Sequence, residues 1–201
     1  MNVTSRTATL LLAACAGVAA RPAAAVDLFV KPAGSGGTCA QSSPCTLAIA
    51  LATASADDRV LLAGGGDTGP GTEVVLLDKA GALLGGWSGA PAGEVARDPV
   101  AYESVIDGQG ARRGVKITSG AALLDGVTVR NGDASGQREC ATGQLAGCGG
   151  GILVTGWEVT VSHCRIESNT ADSTVPAEWA VGLGGGIAGA GANSLQITGN
   201  T

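Results

Sequence analysis

The sequence predicts an all-β solenoid, in which short strands wind into stacked coils behind a single N-terminal helix. Three observations carry that prediction. Glycine supplies 34 of the 201 residues, while three tryptophans, one tyrosine and one phenylalanine are the whole aromatic content. Short runs rich in branched aliphatic residues recur, broken by Gly, Asp and Asn. The block Gly149, Gly150, Gly151, Ile152 returns 35 residues later as Gly184, Gly185, Gly186, Ile187, and each copy is followed by an Ile-x-x-Asn segment, Ile166 to Asn169 and Ile197 to Asn200.

Composition bounds the alternatives. With 45 % hydrophobic and 14 % charged residues the chain is too apolar for a disordered segment, and too poor in aromatics for an ordinary compact core. Small and β-branched residues suit thin, closely stacked layers instead. The formal charge of −5 argues against nucleic-acid binding. Arg112, Arg113 and Lys116 form the only basic cluster, expected at a solvated edge.

Residues 1–25 read as an export signal. Arg6 marks a basic end, Thr7 to Ala20 is an apolar run, and Ala23 to Ala25 offer a small-residue cleavage site before Val26. The run is too short to span a bilayer, and no later segment is predicted to do so. LAAC at 12–15 also matches a lipoprotein signal, which would make Cys15 a lipidated N-terminus. Either processing places the protein outside the cytoplasm, secreted or associated with the outer membrane or cell surface. Removing 1–25 takes away Arg6 and Arg21 but no acid, which moves the formal charge from −5 to −7.

Residues 26–58 form an N-terminal segment. Within it PCTLAIALATASAD at 44–57 places Leu47, Ala50, Leu51 and Ala54 on one helical face, so a helix is expected over about 46–56, N-capped by Thr46. Such a helix would cover the open end of the first coil. From 59 to 201 the pattern is β: strands are predicted at 59–62, 73–77, 82–84, 114–118, 122–129, 152–154, 158–166 and 195–198. Spacings of 35 residues for the glycine blocks and 31 for the Ile-x-x-Asn blocks suit a solenoid repeat of roughly 20–45 residues. VTVRNG at 127–132 is read as an earlier copy.

A physical logic accompanies the repeat. The glycines permit a sharp turn at positive φ and a close approach of neighbouring backbones, and the Ile that follows is expected inside. Each Asn can tolerate the left-handed conformation at a turn, and its amide can bond to backbone and to the equivalent Asn one coil away.

These motifs resemble the GG-[AG]-[ILV] and [FI]-x-x-N repeats of polymorphic outer membrane proteins and related secreted bacterial proteins. LLGGWSG at 83–89, RD at 97–98 and VIDGQG at 105–110 are similar to the segment that introduces those repeats, and TCAQSSPCTL at 38–47 to their beginning. The resemblance spans about residues 27–201, with Ile in place of the commoner Phe. It implies a right-handed parallel β-helix, in the superfold that also hosts pectate lyases, and a surface or adhesion role. The membrane β-barrel that lets some relatives export themselves is not carried over.

Five cysteines follow the signal. The short spacings favour local disulfides Cys39–Cys45 and Cys140–Cys148, with Cys164 free in a strand, although the sequence alone leaves the pairing open. One histidine and no C-x-x-C argue against a metal site, and no cofactor is expected. GGGDTG at 64–69 matches a dinucleotide fingerprint formally, but a strand follows where a helix is needed. His163 alone cannot build a catalytic triad.

Two function classes stay open. One is a non-catalytic surface or adhesion protein whose partner is a polysaccharide or a host or cell-surface ligand. The other is a polysaccharide lyase, epimerase or glycoside hydrolase, for which Asp107, Asp125 and Asp133 are the available acids, Arg130 and Lys116 the nearest bases, and Trp87, Trp157 and Trp179 the candidate sugar platforms. Asp107 and Asp125 precede glycine and are expected in turn duty, so no catalytic residue is assigned. Because the sequence stops on Ile-x-x-Asn, further repeats or another chain are expected against its open end.

Overall fold

A computed structural model of the chain describes residues 24–137, 147–172, 184–190 and 194–201. The expected leader up to residue 23, its Cys15, and also Cys140 and Trp179 lie outside the described residues.

The fold is a parallel β-helix with a short N-terminal helix. Its first face contains, in hydrogen-bonded order, β1 (Asp27–Val30), β2 (Arg59–Ala63), β5 (Gly81–Trp87), β8 (Ala122–Asp125), β11 (Val159–Ser162) and β14 (Leu195–Thr198). The second face stacks β3 (Gly65–Asp67), β6 (Ser104–Asp107), β9 (Val127–Arg130) and β12 (Arg165–Glu167). The third stacks β4 (Glu73–Leu77), β7 (Arg113–Ile117), β10 (Ile152–Val154) and β13 (Ile187–Gly189). Strand pairing within all three faces is parallel, so each coil contributes one strand per face and bonds to the coils before and after it.

Like side chains stack inside. Val60, Leu83, Leu124 and Val161 form one aliphatic row on the first face. Val75, Val115, Ile152 and Ile187 form another on the third, and Ile106, Val129 and Ile166 a third on the second. Val75, Val115 and Ile152 are fully buried. Burying each such side chain contributes about 1.5–3 kcal/mol, which explains how the fold is stabilised with so few aromatics.

The helix α1 (Leu47–Thr53) packs on β1, β2 and β4, burying Leu47 and Ala50. Thr46 caps it, its hydroxyl accepting from the Ile49 amide at 3.4 Å. Cys39 and Cys45 are disulfide-bonded beside β1.

The predicted strands 122–129 and 158–166 each break in two. Gly126 (φ 69°) and His163 (φ 49°) turn the chain from the first face to the second, and Gly199 (φ 63°) occupies the same corner position one coil later. Arg113 also departs from the expected solvated edge. It is fully buried, its guanidinium donating to the carbonyls of Cys148 and Gly149 at 3.1 Å, so backbone oxygens of the next coil take the place of water.

Candidate functional site

The repeat residues define the coil corners. Ile152 pairs in register with Ile187 and with Val115, so Gly114, Gly151 and Gly186 precede one stacked row. Gly149 and Gly184 both have positive φ, at 58° and 62°. A Cβ at Gly151 would stand 2.6 Å from the Gly186 carbonyl oxygen, and one at Gly150 would collide with that of Thr170. Backbone approach, more than turn conformation, therefore demands glycine at 150 and 151.

The two Ile-x-x-Asn segments occupy different corners. Ile166 lies on β12 of the second face, whereas Ile197 lies on β14 of the first. That difference explains why they stand 31 residues apart while Ile152 and Ile187 stand 35 apart. The left-handed residue in each is the one before Asn, Ser168 at φ 54° and Gly199 at φ 63°. The asparagines act through their side chains. Asn169 Oδ1 accepts from the Gly132 amide at 2.7 Å and its Nδ2 donates to the Val129 carbonyl at 3.0 Å. Asn200 treats the Cys164 amide and the Val161 carbonyl in the same way, at 2.7 and 2.9 Å. Each bridges to backbone one coil earlier, and not to an equivalent Asn.

The chemistry-bearing side chains gather around the corner between first and second faces. Asp125, at the end of β8, accepts from Arg97 Nη2 (2.7 Å) on Oδ2, and from Ser162 Oγ (2.8 Å) on Oδ1. His163 Nδ1 lies 2.8 Å from the same Oδ1. Register explains the meeting: Asp125 pairs with Ser162, so residues 37 positions apart become neighbours. Burial pushes the Asp125 carboxyl up, but the bonds from His163, Arg97 and Ser162 and the charge of Arg97 together hold it below the usual carboxylate range. Although Ser, His and Asp meet here, they do not make a triad. Serine and histidine approach one carboxylate oxygen side by side, so the imidazole does not activate the hydroxyl.

A groove of about 410 Å³ opens beside His163, with Glu103, Thr128 and Arg165 in its wall. Glu103 Oε1 accepts from Thr128 Oγ1 at 2.7 Å, and Arg165 pairs with Glu167 at 2.7 Å. On the same face Asp107 accepts from Arg130, Asn131 and the Gln109 amide. Burial raises that carboxyl, and these three donors with the Arg130 charge bring it net below its ordinary value. Asp133 accepts from the Ser135 amide at 2.7 Å, as turn aspartates do.

Of the candidate sugar platforms, Trp87 is fully buried against Phe29, Leu61 and Ala63 on the outer side of the first face. Trp157 is exposed. Cys164 is buried and outside any disulfide, its thiol pushed up to about 11 chiefly by desolvation. Cys148 is in a disulfide whose partner falls outside the described residues. Among the described residues no cluster of three or more His, Cys, Asp or Glu side chains forms a metal cage, and no helix is long and apolar enough to cross a membrane.

The sequence motifs around 83–98 prove to be one device. Arg97 Nε donates to the Gly85 carbonyl at 2.7 Å and the Asp98 amide to that of Gly86 at 2.7 Å, which lays the 88–98 segment over Trp87. Asp98 Oδ1 then accepts from the amides of Val100 and Ala101.

No family model matches the chain, and no curated protein matches it by sequence. Among solved structures it is similar to pectate lyase Pel9A, at 17 % identity and a TM-score of 0.48 over 73 % of this chain and 34 % of that one. The chain thus spans about a third of that protein's length.

Proposed function

We propose that the protein is an exported, non-catalytic β-helix surface protein, of the adhesion type that its repeat motifs resemble. The observation that carries this reading is the occupancy of Asp125, whose two oxygens are engaged by Arg97, Ser162 and His163 from other coils and the covering segment. Arg130 is likewise engaged by Asp107 and Arg165 by Glu167. Lyase or hydrolase chemistry needs acids and bases free to face substrate, and here they are paired with one another, Asp125 and the Asp107–Arg130 pair between coils and Arg165–Glu167 within one strand. The leader motif and the Cys39–Cys45 disulfide support an oxidising, extracytoplasmic destination.

Incubation with neutral and acidic polysaccharides is expected to yield neither new reducing ends nor unsaturated products. Release of either would overturn the reading. The intact mass of the exported protein is expected to correspond to a chain starting at Val26, and a diacylglyceryl adduct on Cys15 would assign it to the lipoproteins.

A second reading, a carbohydrate-active enzyme, draws on one feature. His163 is exposed beside the groove with its Nδ1 against Asp125, the arrangement in which a carboxylate orients an imidazole. Under that reading His163→Ala abolishes product release.

A further inference from the structure

We infer that the corner carrying Trp157 is a binding platform for a neutral polysaccharide, an inference that rests on the non-catalytic reading above and names its partner class. Trp157 lies in the four-residue turn 155–158 between β10 and β11, in register with Gly120 of the turn 118–121 one coil earlier. Its side chain lies against the coil beneath. A Cβ built at Gly120 would strike the Cδ1, Nε1 and Cε2 atoms of the indole, so the pyrrole edge rests directly on the glycine backbone. Gly120 itself has no positive φ, so its own backbone conformation does not require glycine there. The next residue, Glu158, is left-handed at φ 56°, as is Ala121 at φ 52° in the turn beneath, and the Ala121 amide donates to the Trp157 carbonyl at 2.9 Å. The indole is thus positioned from below and still 58 % exposed.

The surroundings select the ligand. The other exposed large apolar side chains among the described residues are Val26, Leu76, Val100, Tyr102 and Ile197, and none lies in either turn, so among the described residues no broad apolar patch for a protein partner forms around Trp157. One flat ring set among polar groups matches the C–H face of a single pyranose. Thr118 and Thr155 occupy corresponding places in the two turns, and each hydroxyl donates to the carbonyl one coil earlier (Leu77 at 3.5 Å, Ile117 at 3.4 Å), leaving its lone pairs to accept from sugar hydroxyls. The carboxylate of exposed Glu158 follows the indole directly in the chain, and the chain's net charge is −5, which disfavours uronate polymers.

Affinity electrophoresis of the full chain in gels containing hydroxyethylcellulose, xylan, galactomannan or polygalacturonate tests this. Retardation is expected in at least one neutral gel and not with polygalacturonate. Trp157→Ala is expected to weaken that retardation roughly tenfold or more, and Trp157→Tyr to retain part of it. Absence of retardation in every neutral gel, or retardation that Trp157→Ala leaves unchanged, overturns the inference. Products appearing in the same gels would instead overturn the non-catalytic reading, so the two failures are distinguishable.

Discussion

The side-chain oxygen of Asn169 accepts from the backbone amide of Gly132, one coil earlier, at 2.7 Å, while its nitrogen donates to Val129 in that same coil. One amide thereby satisfies a donor and an acceptor at a corner where the chain leaves the strand ladder. Asn169→Ala orphans both, and each unmet buried group costs about 1–3 kcal/mol. A loss in that range by urea denaturation is expected; a change within error would show that water satisfies both groups.

The glycines divide into two kinds with different predicted costs. A Cβ at Gly150 collides with the Thr170 carbonyl, whereas one at Gly66 in β3 meets nothing within 4 Å, and neither residue has positive φ. Gly150→Ala is expected to destabilise by about 1–3 kcal/mol, as overpacking does, and Gly66→Ala to be neutral or slightly stabilising. Thermal melts of the two variants check the contrast.

Acid is predicted to act on three aspartates, on one of them with the opposite sign. Asp107 and Asp125 have lowered pKa values, so the stability they contribute is present above the unfolded carboxylate value and is lost as pH falls through the folded one. Asp67, in register with the core residue Ile106, is raised to about 6 by desolvation. Its contribution is fully present below the unfolded value and is lost as pH rises toward 6. Asp67→Asn is therefore expected to stabilise the protein at neutral pH by up to about 2 kcal/mol and to lose that advantage near pH 4. Denaturation curves at both pH values provide the measurement.

Removing the Cys39–Cys45 disulfide is expected to cost about 2 kcal/mol, the low end for a crosslink closing so short a loop. Cys39→Ser/Cys45→Ser compared with the parent protein in denaturant gives the value.

How far the sequence could be read depended on the kind of signal. Strands such as Glu73–Leu77 and Ile152–Val154 were legible because branched aliphatics announce them, and the helix because Leu47 and Ala50 fall on one face. Gly65–Asp67 carries no such signal, since its pairing with β6 alone makes it a strand. The repeat was visible, but not that Ile166 and Ile197 belong to different faces, because a motif records a corner's chemistry and not which corner it is. The Asp125–His163 contact was invisible for a similar reason: it depends on coil length, which loops of varying size conceal. Left-handed Glu158 gives no warning either, being a residue type that usually avoids that region, and a lone histidine such as His163, though commoner there, does not by itself mark a corner.

In the function proposed above, the polar residues at the corner of the first and second faces hold the coils together and perform no chemistry. Asp125→Asn measures this most directly, with unfolding free energy and polysaccharide cleavage followed on wild type and variant together. No cleavage by either protein and a less stable variant are expected, because the Arg97 and His163 contacts lose their charged partner. Cleavage by the wild type that disappears in an equally stable variant would contradict the proposed function.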